Sequence, residues 1–352
     1  MRVLLTGAAG FIGTAVAADL DTAGVDLQLV DALLPQVHGA NPVVPQGLSR
    51  LDVRAADDPG VWDELLSGVD AVCHQAAVVG VERAPGDFPL YASHNDVGTA
   101  ALLTAMARAG VNRLVLASSL VVYGEGGYRC ERHGSVVPAE RSRERLQAGL
   151  FENQCPVCGD NVQWATVPES APSAPRSAYA ASKVAQENYA AAWARHTGGT
   201  VVALRYHNVY GPGMPRDSSY CGVAATFRSH LAAGRPPVVF EDGGQMRDFV
   251  HVDDIATANR LALQSVDQHE PGRLTAYNIG SGQPVSIGQV AEQLASTKGL
   301  TTSVTGDFRP GDVRHIVADC TAARAGIGFA AATAPARGLV AFASEPLRGE
   351  AA

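Results

Sequence analysis

Arg2-Val3-Leu4-Leu5-Thr6-Gly7-Ala8-Ala9-Gly10-Phe11-Ile12-Gly13-Thr14 is the stretch whose reading decides the fold. A short apolar run ends at Thr6-Gly7 and a helical pattern follows from Thr14 to Leu20, so the order is strand, glycine turn, helix. Gly7 permits the tight turn. Gly10 lets backbone N–H groups approach an anion at the helix N-terminus, and Gly13 lets helix and strand pack closely. The spacing is GxxGxxG rather than GxGxxG, and other glycine-rich turns share it, so the reading needs support downstream.

That support comes at the right distance. Leu27-Gln28-Leu29-Val30 reads as a second strand ending in Asp31. A carboxylate there accepts hydrogen bonds from an adenosine ribose and repels a 2′-phosphate, which favours NAD over NADP. Leu51-Asp52-Val53 reads as a third strand end, where Asp52 can meet the adenine amino group. Val69 to Ala77 reads as a fourth strand whose small residues leave room for a cofactor, and His74 within it reads as a satisfied core histidine before a ligand or base. Asn95-Asp96-Val97-Gly98-Thr99 opens an Ala/Leu-rich helix, and Leu114 to Ser119 is a fifth strand ending in hydroxyls. Alternating strands and helices imply an α/β fold: a Rossmann-type doubly wound parallel sheet with right-handed crossovers.

A chain of 352 residues is more than one core usually organises, so a second, smaller α/β lobe is expected. With 46% hydrophobic and 18% charged residues the composition is that of a globular protein. Its net charge of −8 and lack of any Lys/Arg block argue against nucleic acid or an anionic membrane as partner. No apolar run reaches membrane-spanning length and Gly7 interrupts the N-terminal one, so a cytoplasmic location is expected. Six cysteines then argue for thiols or a metal rather than a disulfide framework.

Tyr179-Ala180-Ala181-Ser182-Lys183 carries the chemistry. Tyr179 and Lys183 lie on one helix face, and an ammonium near a phenol favours the phenolate, lowering its pKa toward working pH. A Tyr-xxx-Lys spacing alone is common; joined to the glycine turn it points to redox chemistry on an alcohol.

These segments resemble the extended short-chain dehydrogenase/reductase family, and within it the nucleotide-sugar epimerases. The resemblance rests on Ser118 to Gly124, Pro175 before Tyr179, Arg205 to Pro212, Gln245 to Asp254, Tyr277 to Gly282 and Arg309 to His315, in that order along nearly the whole chain. It implies Ser119, Tyr179 and Lys183 as the catalytic trio. It implies cofactor contacts from Gly7, Gly10, Phe11, Ile12, Gly13, Asp31, Asp52, Val53, Ala76, Asn95, Tyr179, Lys183 and Tyr206. Asn208, Arg247 and Arg309 become contacts to a nucleotide diphosphate, a role for which the arginine fork is suited. The expected division is a NAD-binding lobe over 1–209, a substrate lobe over 210–246 and 280–344, and a return to the first lobe over 247–279. In this family Ala/Leu-rich helices such as 97–109 and 180–194 pair across a two-fold axis, so a homodimer is expected.

The chain departs from that pattern in the long stretch between Ser119 and Tyr179. Residues 126–169 form an insertion holding Cys130-Glu131-Arg132-His133 and Cys155-Pro156-Val157-Cys158-Gly159. Two such pairs have the spacing of a tetrahedral zinc site, with Cys130, His133, Cys155 and Cys158 as ligands and a structural role, because four protein ligands leave no open position. The resulting expectation is NAD-dependent epimerisation of a nucleotide-diphosphate sugar at C4 through a 4-keto intermediate. A reductase or dehydrogenase of the same family and a non-catalytic NAD-binding regulator stand as alternatives. The family's 4,6-dehydratases want an acid and a base after the serine, where this chain has Leu120 and Val121.

Overall fold

The computed structural model describes residues 1–39, 41–80, 84–215 and 222–348. Its centre is a seven-stranded sheet in the order Leu274–Ile279, Thr200–Tyr206, Arg113–Ser119, Ala71–His74, Arg2–Thr6, Asp26–Asp31, Leu48–Arg50. Every neighbouring pair is parallel. The order reverses at Arg2–Thr6, and a crevice opens there beyond the carboxyl ends of the strands.

The strands are apolar on both sides because helices cover both faces. Side chains alternate across the sheet, so Val3, Leu5, Val115, Val202 and Leu204 enter one core with helices Phe11–Thr22 and Val252–Ser265. Leu4, Leu114, Leu116, Val201 and Ala203 enter the other, with Leu102 and Met106 of helix Gly98–Ala109 and Trp193 of helix Ala178–Thr197. The last helix starts where the Ser177 hydroxyl accepts the Ala180 N–H, and ends at Gly198 in the left-handed region with Arg195 and His196 in its final turn.

The expected strand ends shift slightly. Asp52 lies past the third strand and caps a short 3-10 turn, Val53–Ala55. The helix expected from Asn95 begins at Gly98, preceded by a π-helical stretch, Ala92–Val97.

The smaller body is a three-stranded sheet of Asn208–Tyr210, Met246–His251 and Pro284–Ser286, with helices Val223–Ala232, Ile287–Ser296 and Pro335–Phe342. Tyr210, Phe227, Phe249, Val290, Leu294, Leu339 and Phe342 form its core. Strand Met246–His251 therefore belongs with this sheet; the chain comes back against the large sheet through helix Val252–Ser265 and joins it at Leu274–Ile279. The insertion folds as strands Gly127–Cys130, Gly134–Val136 and Gln163–Val167, which share a sheet with Val317–Ala318 from far along the chain. Among the described residues no helix is long and apolar enough to cross a membrane.

Candidate active site

The glycine turn is a cradle with no room for side chains on the protein side. Gly7 has φ +68, and a Cβ there would stand 2.6 Å from the Ala76 nitrogen. A Cβ on Gly13 would stand 2.0 Å from the Gly7 carbonyl oxygen, so only glycine lets the helix sit this close to the strand. Gly7, Gly10, Phe11, Ile12 and Gly13 line one cleft together with Ser119, Tyr179, Lys183 and Tyr206. Asp31, Asp52, Val53 and Ala76 line an adjoining cavity that shares Gly7 and Gly10 with it.

Asp31 is 8% exposed. It accepts the Ala9 N–H at 3.0 Å and the Leu33 N–H at 2.8 Å, and His38 Nε2 lies 3.4 Å away. Leu33 takes a left-handed φ of 51 to bring its N–H round. Burial raises the Asp31 pKa, but the hydrogen bonds from His38, Leu33 and Ala9 outweigh it and hold the carboxyl below its ordinary value. A carboxylate kept ionised at the second strand end, above a backbone cradle, fits the ribose and pyrophosphate of NAD.

Two expected cofactor contacts are engaged elsewhere. Asp52 lines the cavity, but its carboxylate is held by Arg54 through Nε and Nη2, at 3.0 and 2.6 Å. Asn95 is fully buried; it accepts the Val78 N–H at 2.8 Å and donates to the Val78 carbonyl and the Ser182 hydroxyl, both at 2.9 Å. It therefore clamps the wall of the cleft and joins it to the Tyr179 helix. His74 is a satisfied core histidine between the Thr6 and Thr99 hydroxyls, and burial pushes it down to about 3.

Tyr179 stands in the first turn of its helix and lines the cleft with Ser119, whose side chain pulls the phenol's pKa down. Burial raises the phenol to about 12, against that pull. Lys183 Nζ donates to the Ala117 carbonyl at 2.9 Å and lies 5.9 Å from the Tyr179 ring centroid. Burial lowers Lys183 to about 8, and Glu187 opposes the shift. Desolvation is the largest influence on the phenol and opposes the lowering expected from Lys183. Glu187, one further turn on, is gripped by Arg205 at 2.9 and 2.8 Å and by the Ser118 hydroxyl. Tyr179, Lys183 and Glu187 thus form one stripe at i, i+4, i+8.

Asn208 stands between this cleft and a second cavity, and its buried Oδ1 has no protein partner. The second cavity is also lined by Arg247, Arg309, Phe240 and Glu241. The Arg309 guanidinium lies 5.1 Å from the Phe240 ring centroid. Arg247 spends its guanidinium on the carbonyls of Met246, Val313 and Arg314. Arg247 and Arg309, which the resemblance implies as diphosphate contacts, both line this cavity. Of the segments 79–88 and 214–227 beside the cleft, residues 81–83 and 216–221 lie outside the described residues.

Arg348, which lines the cleft, and Tyr91, which packs beside Tyr179, escaped sequence reading. Arg348 reaches the cofactor end from near the C-terminus and donates to the Ala9 carbonyl at 3.3 Å; no motif surrounds it. Tyr91 packs its ring 6.1 Å from that of Tyr179. Glu187 was legible in principle, four positions after Lys183 on the same face.

In the insertion, Cys130, His133, Cys155 and Cys158 converge. Their ligand atoms lie within 4.8 Å of one another. Cys130 Sγ is 3.7 Å from Cys158 Sγ, and His133 Nδ1 is 3.5 Å from the sulfurs of both Cys130 and Cys155. A tetrahedral zinc with Zn–S bonds of about 2.3 Å and Zn–N bonds of about 2.0 Å sets edges of about 3.8 and 3.5 Å.

The chain matches the NAD dependent epimerase/dehydratase family over residues 3–142 and 156–280, passing over part of the insertion. It is 36% identical over 341 residues to the dTDP-L-rhamnose 4-epimerase of Burkholderia thailandensis, covering 93% of this chain and 90% of that protein. It is 29% identical over 350 residues to a dTDP-glucose 4,6-dehydratase of Streptomyces niveus, covering 97% and 91%. Among solved structures, MoeE5 in complex with UDP-glucose and NAD superposes with a TM-score of 0.75 at 29% identity and 97% coverage of each chain. With the match running through both the glycine cradle and the Tyr179 helix, the chain belongs to the NAD-dependent epimerase/dehydratase family.

Proposed function

We propose that this protein interconverts the C4 epimers of a nucleotide-diphosphate sugar, with NAD held in the cleft and regenerated in each turnover. The observation that carries the reading is the continuity of the site. The Ser119–Tyr179–Lys183 group opens, past Asn208, onto the cavity bearing Arg247 and Arg309. Leu120 and Val121 line the same cleft, where a dehydratase would want groups that move protons. The similarity to a dTDP-L-rhamnose 4-epimerase supports the same choice.

NAD held by the glycine cradle and Asp31 would supply hydride acceptance at C4 and its return to the opposite face of that carbon. The chain's own residues do the rest. Tyr179 takes the proton from the C4 hydroxyl and gives it back. Ser119, beside the phenol in the cleft, holds the same oxygen. Lys183 lies behind the ring, where it carries a ribose hydroxyl and adds the positive charge a phenolate needs. Arg247 and Arg309 hold the diphosphate, so the sugar can turn while its handle stays in place.

The same reading assigns a structural zinc to Cys130, His133, Cys155 and Cys158. The edges of the cluster match the metal, and the small core around it (Tyr128, Cys130, Cys155, Val162) has little other support. It also assigns a homodimer, with Val97 and Tyr189 exposed on the two helices that would pair.

Incubation with dTDP-L-rhamnose, then with UDP-glucose, should yield the C4 epimer by NMR with no accumulation of NADH. Stoichiometric NADH would favour the dehydrogenase reading. Tyr179→Phe should cut kcat by about 10²–10⁴-fold while bound NAD and the thermal transition are retained, and a variant keeping most of its activity would remove Tyr179 from the role of base. NAD should bind more tightly than NADP in a fluorescence titration, because the ionised Asp31 repels a 2′-phosphate; equal affinities would place the ribose elsewhere. Metal analysis should find about one zinc per chain, lost in Cys155→Ser together with protease resistance of residues 126–169. Sedimentation at micromolar concentration should give a dimer, and a monomer alone would contradict the helix pairing.

A further inference from the structure

The inserted segment touches the far side of the wall that forms the second cavity, and the contact is ionic and buried. Glu241 lines that cavity, is 3% exposed, and holds φ 54, a left-handed conformation uncommon for a residue with a side chain. Two arginines hold it. Arg141, from the insertion, meets the Glu241 carboxylate at 2.9 and 3.0 Å, with side chains 5% and 3% exposed. Arg314, 1% exposed, meets it at 2.9 Å.

Both arginines reach further. Arg141 also donates to the Asp312 carbonyl at 2.8 Å, and Asp312 lines the same cavity. Arg314 is bound in turn by Glu152 of the insertion, at 3.0 Å through its Nε. The other Glu152 oxygen meets His315 Nε2 at 2.9 Å, and His315 Nδ1 accepts the Met246 N–H at 3.1 Å. The next residue is Arg247, whose guanidinium donates to the Val313 and Arg314 carbonyls at 2.6 and 2.9 Å. Arg141 and Glu152 do not line the cavity, yet they fix four residues that do: Glu241, Arg247, Asp312 and Val313. Glu152 precedes the ligand-type Cys155 by three positions, and the Val162 N–H, bonded to the Asn153 carbonyl at 3.0 Å, ties that stretch to the cysteine-bearing core.

We propose that Arg141 and Glu152 are positioning residues for the nucleotide end of the substrate pocket, and that the Cys130–His133–Cys155–Cys158 cluster is the clamp that keeps them in place. Without Arg141 the Glu241 carboxylate keeps only Arg314, and without the Glu152 charge Arg314 keeps only Glu241 and Asp242, so the hold on the left-handed Glu241 and on the 312–314 wall loosens. The chemistry at Tyr179 stands at the other end of the site. The damage therefore appears in binding rather than in the chemical step. This inference rests on the reading above only in taking that cavity as the seat of a nucleoside diphosphate.

The test uses the full-length, NAD-loaded protein with Arg141→Met, Glu152→Gln, Arg141→Lys and Cys155→Ser. Calorimetry with free dTDP and free UDP reads the pocket without needing turnover. The dissociation constant should rise about tenfold or more in Arg141→Met and Glu152→Gln, and partly recover in Arg141→Lys. KM for the sugar nucleotide should rise in parallel, with kcat within about threefold and NAD content unchanged. Cys155→Ser should show the same pattern. Unchanged nucleoside diphosphate binding in either ion-pair variant that keeps its NAD would overturn the proposal. Parallel loss of NAD, kcat and binding in the mild Glu152→Gln variant would also overturn it, by making the network merely structural. Wild-type protein that binds dTDP or UDP but converts no sugar would defeat the epimerase reading instead, and the variants would still decide the positioning role through binding.

Discussion

The buried pair between Glu187 and Arg205 is the constraint on which the catalytic face depends. Arg205 ends a central strand, and Glu187 sits two turns along the helix from Tyr179. Their contact, with the Ser118 hydroxyl on the same carboxylate, fixes the roll of that helix against the sheet. The roll decides whether Tyr179 and Lys183 face the cleft or the core. Arg205 also donates to the Tyr123 hydroxyl at 2.9 Å and to the Glu169 carbonyl at 3.0 Å, so the start of the insertion and its return are tied to the same charge. Such a pair adds little net stability over a well-packed apolar substitute, but breaking it costs a great deal, and that asymmetry gives it control of geometry.

From that anchor the site divides by chemistry. At the cofactor end the protein offers backbone: glycine positions where any Cβ would collide, and one carboxylate held ionised by N–H donors. On the proposed reading the sugar meets a phenol and a hydroxyl in a desolvated cleft, where burial raises Tyr179 and lowers Lys183. The nucleotide end would then meet arginines whose own positions are set by backbone carbonyls and a ring behind them.

The insertion is more than an appendage because it shares a sheet with Val317–Ala318 and supplies charges to the 312–315 stretch. A metal on those four ligands would give the segment and its small core a rigidity that its length alone does not provide. Glu125, just before it, gathers the Tyr128 hydroxyl, the Asn153 amide, Arg176 and the Arg314 N–H on one carboxylate. The chain is thus closed on itself at the entrance and the exit of the insertion.

The alternation of strands and helices, the glycine cradle, Asp31, the Tyr179–Lys183 stripe and the cysteine cluster were all legible in the sequence. Each depends on local spacing: a period of two or 3.6, a turn that tolerates no Cβ, or ligands a few residues apart. Asn95, expected at the cofactor, is held by Val78 and Ser182, and an amide at a helix entrance has the same local signature whether it faces a ligand or a loop. Its partners Val78 and Ser182 are close only after folding. Arg348 left no local trace, since a terminal arginine reaches the glycine cradle only through the packing of the smaller body. The ion pairs from Arg141 and Glu152 to residues 241 and 314 join segments far apart in sequence, and no pattern of neighbours encodes them. The sequence by itself therefore determined the fold, the cofactor cradle and the reactive groups, because short-range sterics and periodicity specify those. Only the tertiary structure decided which charges meet, because burial and distance, the two quantities that set the worth of an ion pair, exist only once the chain has folded.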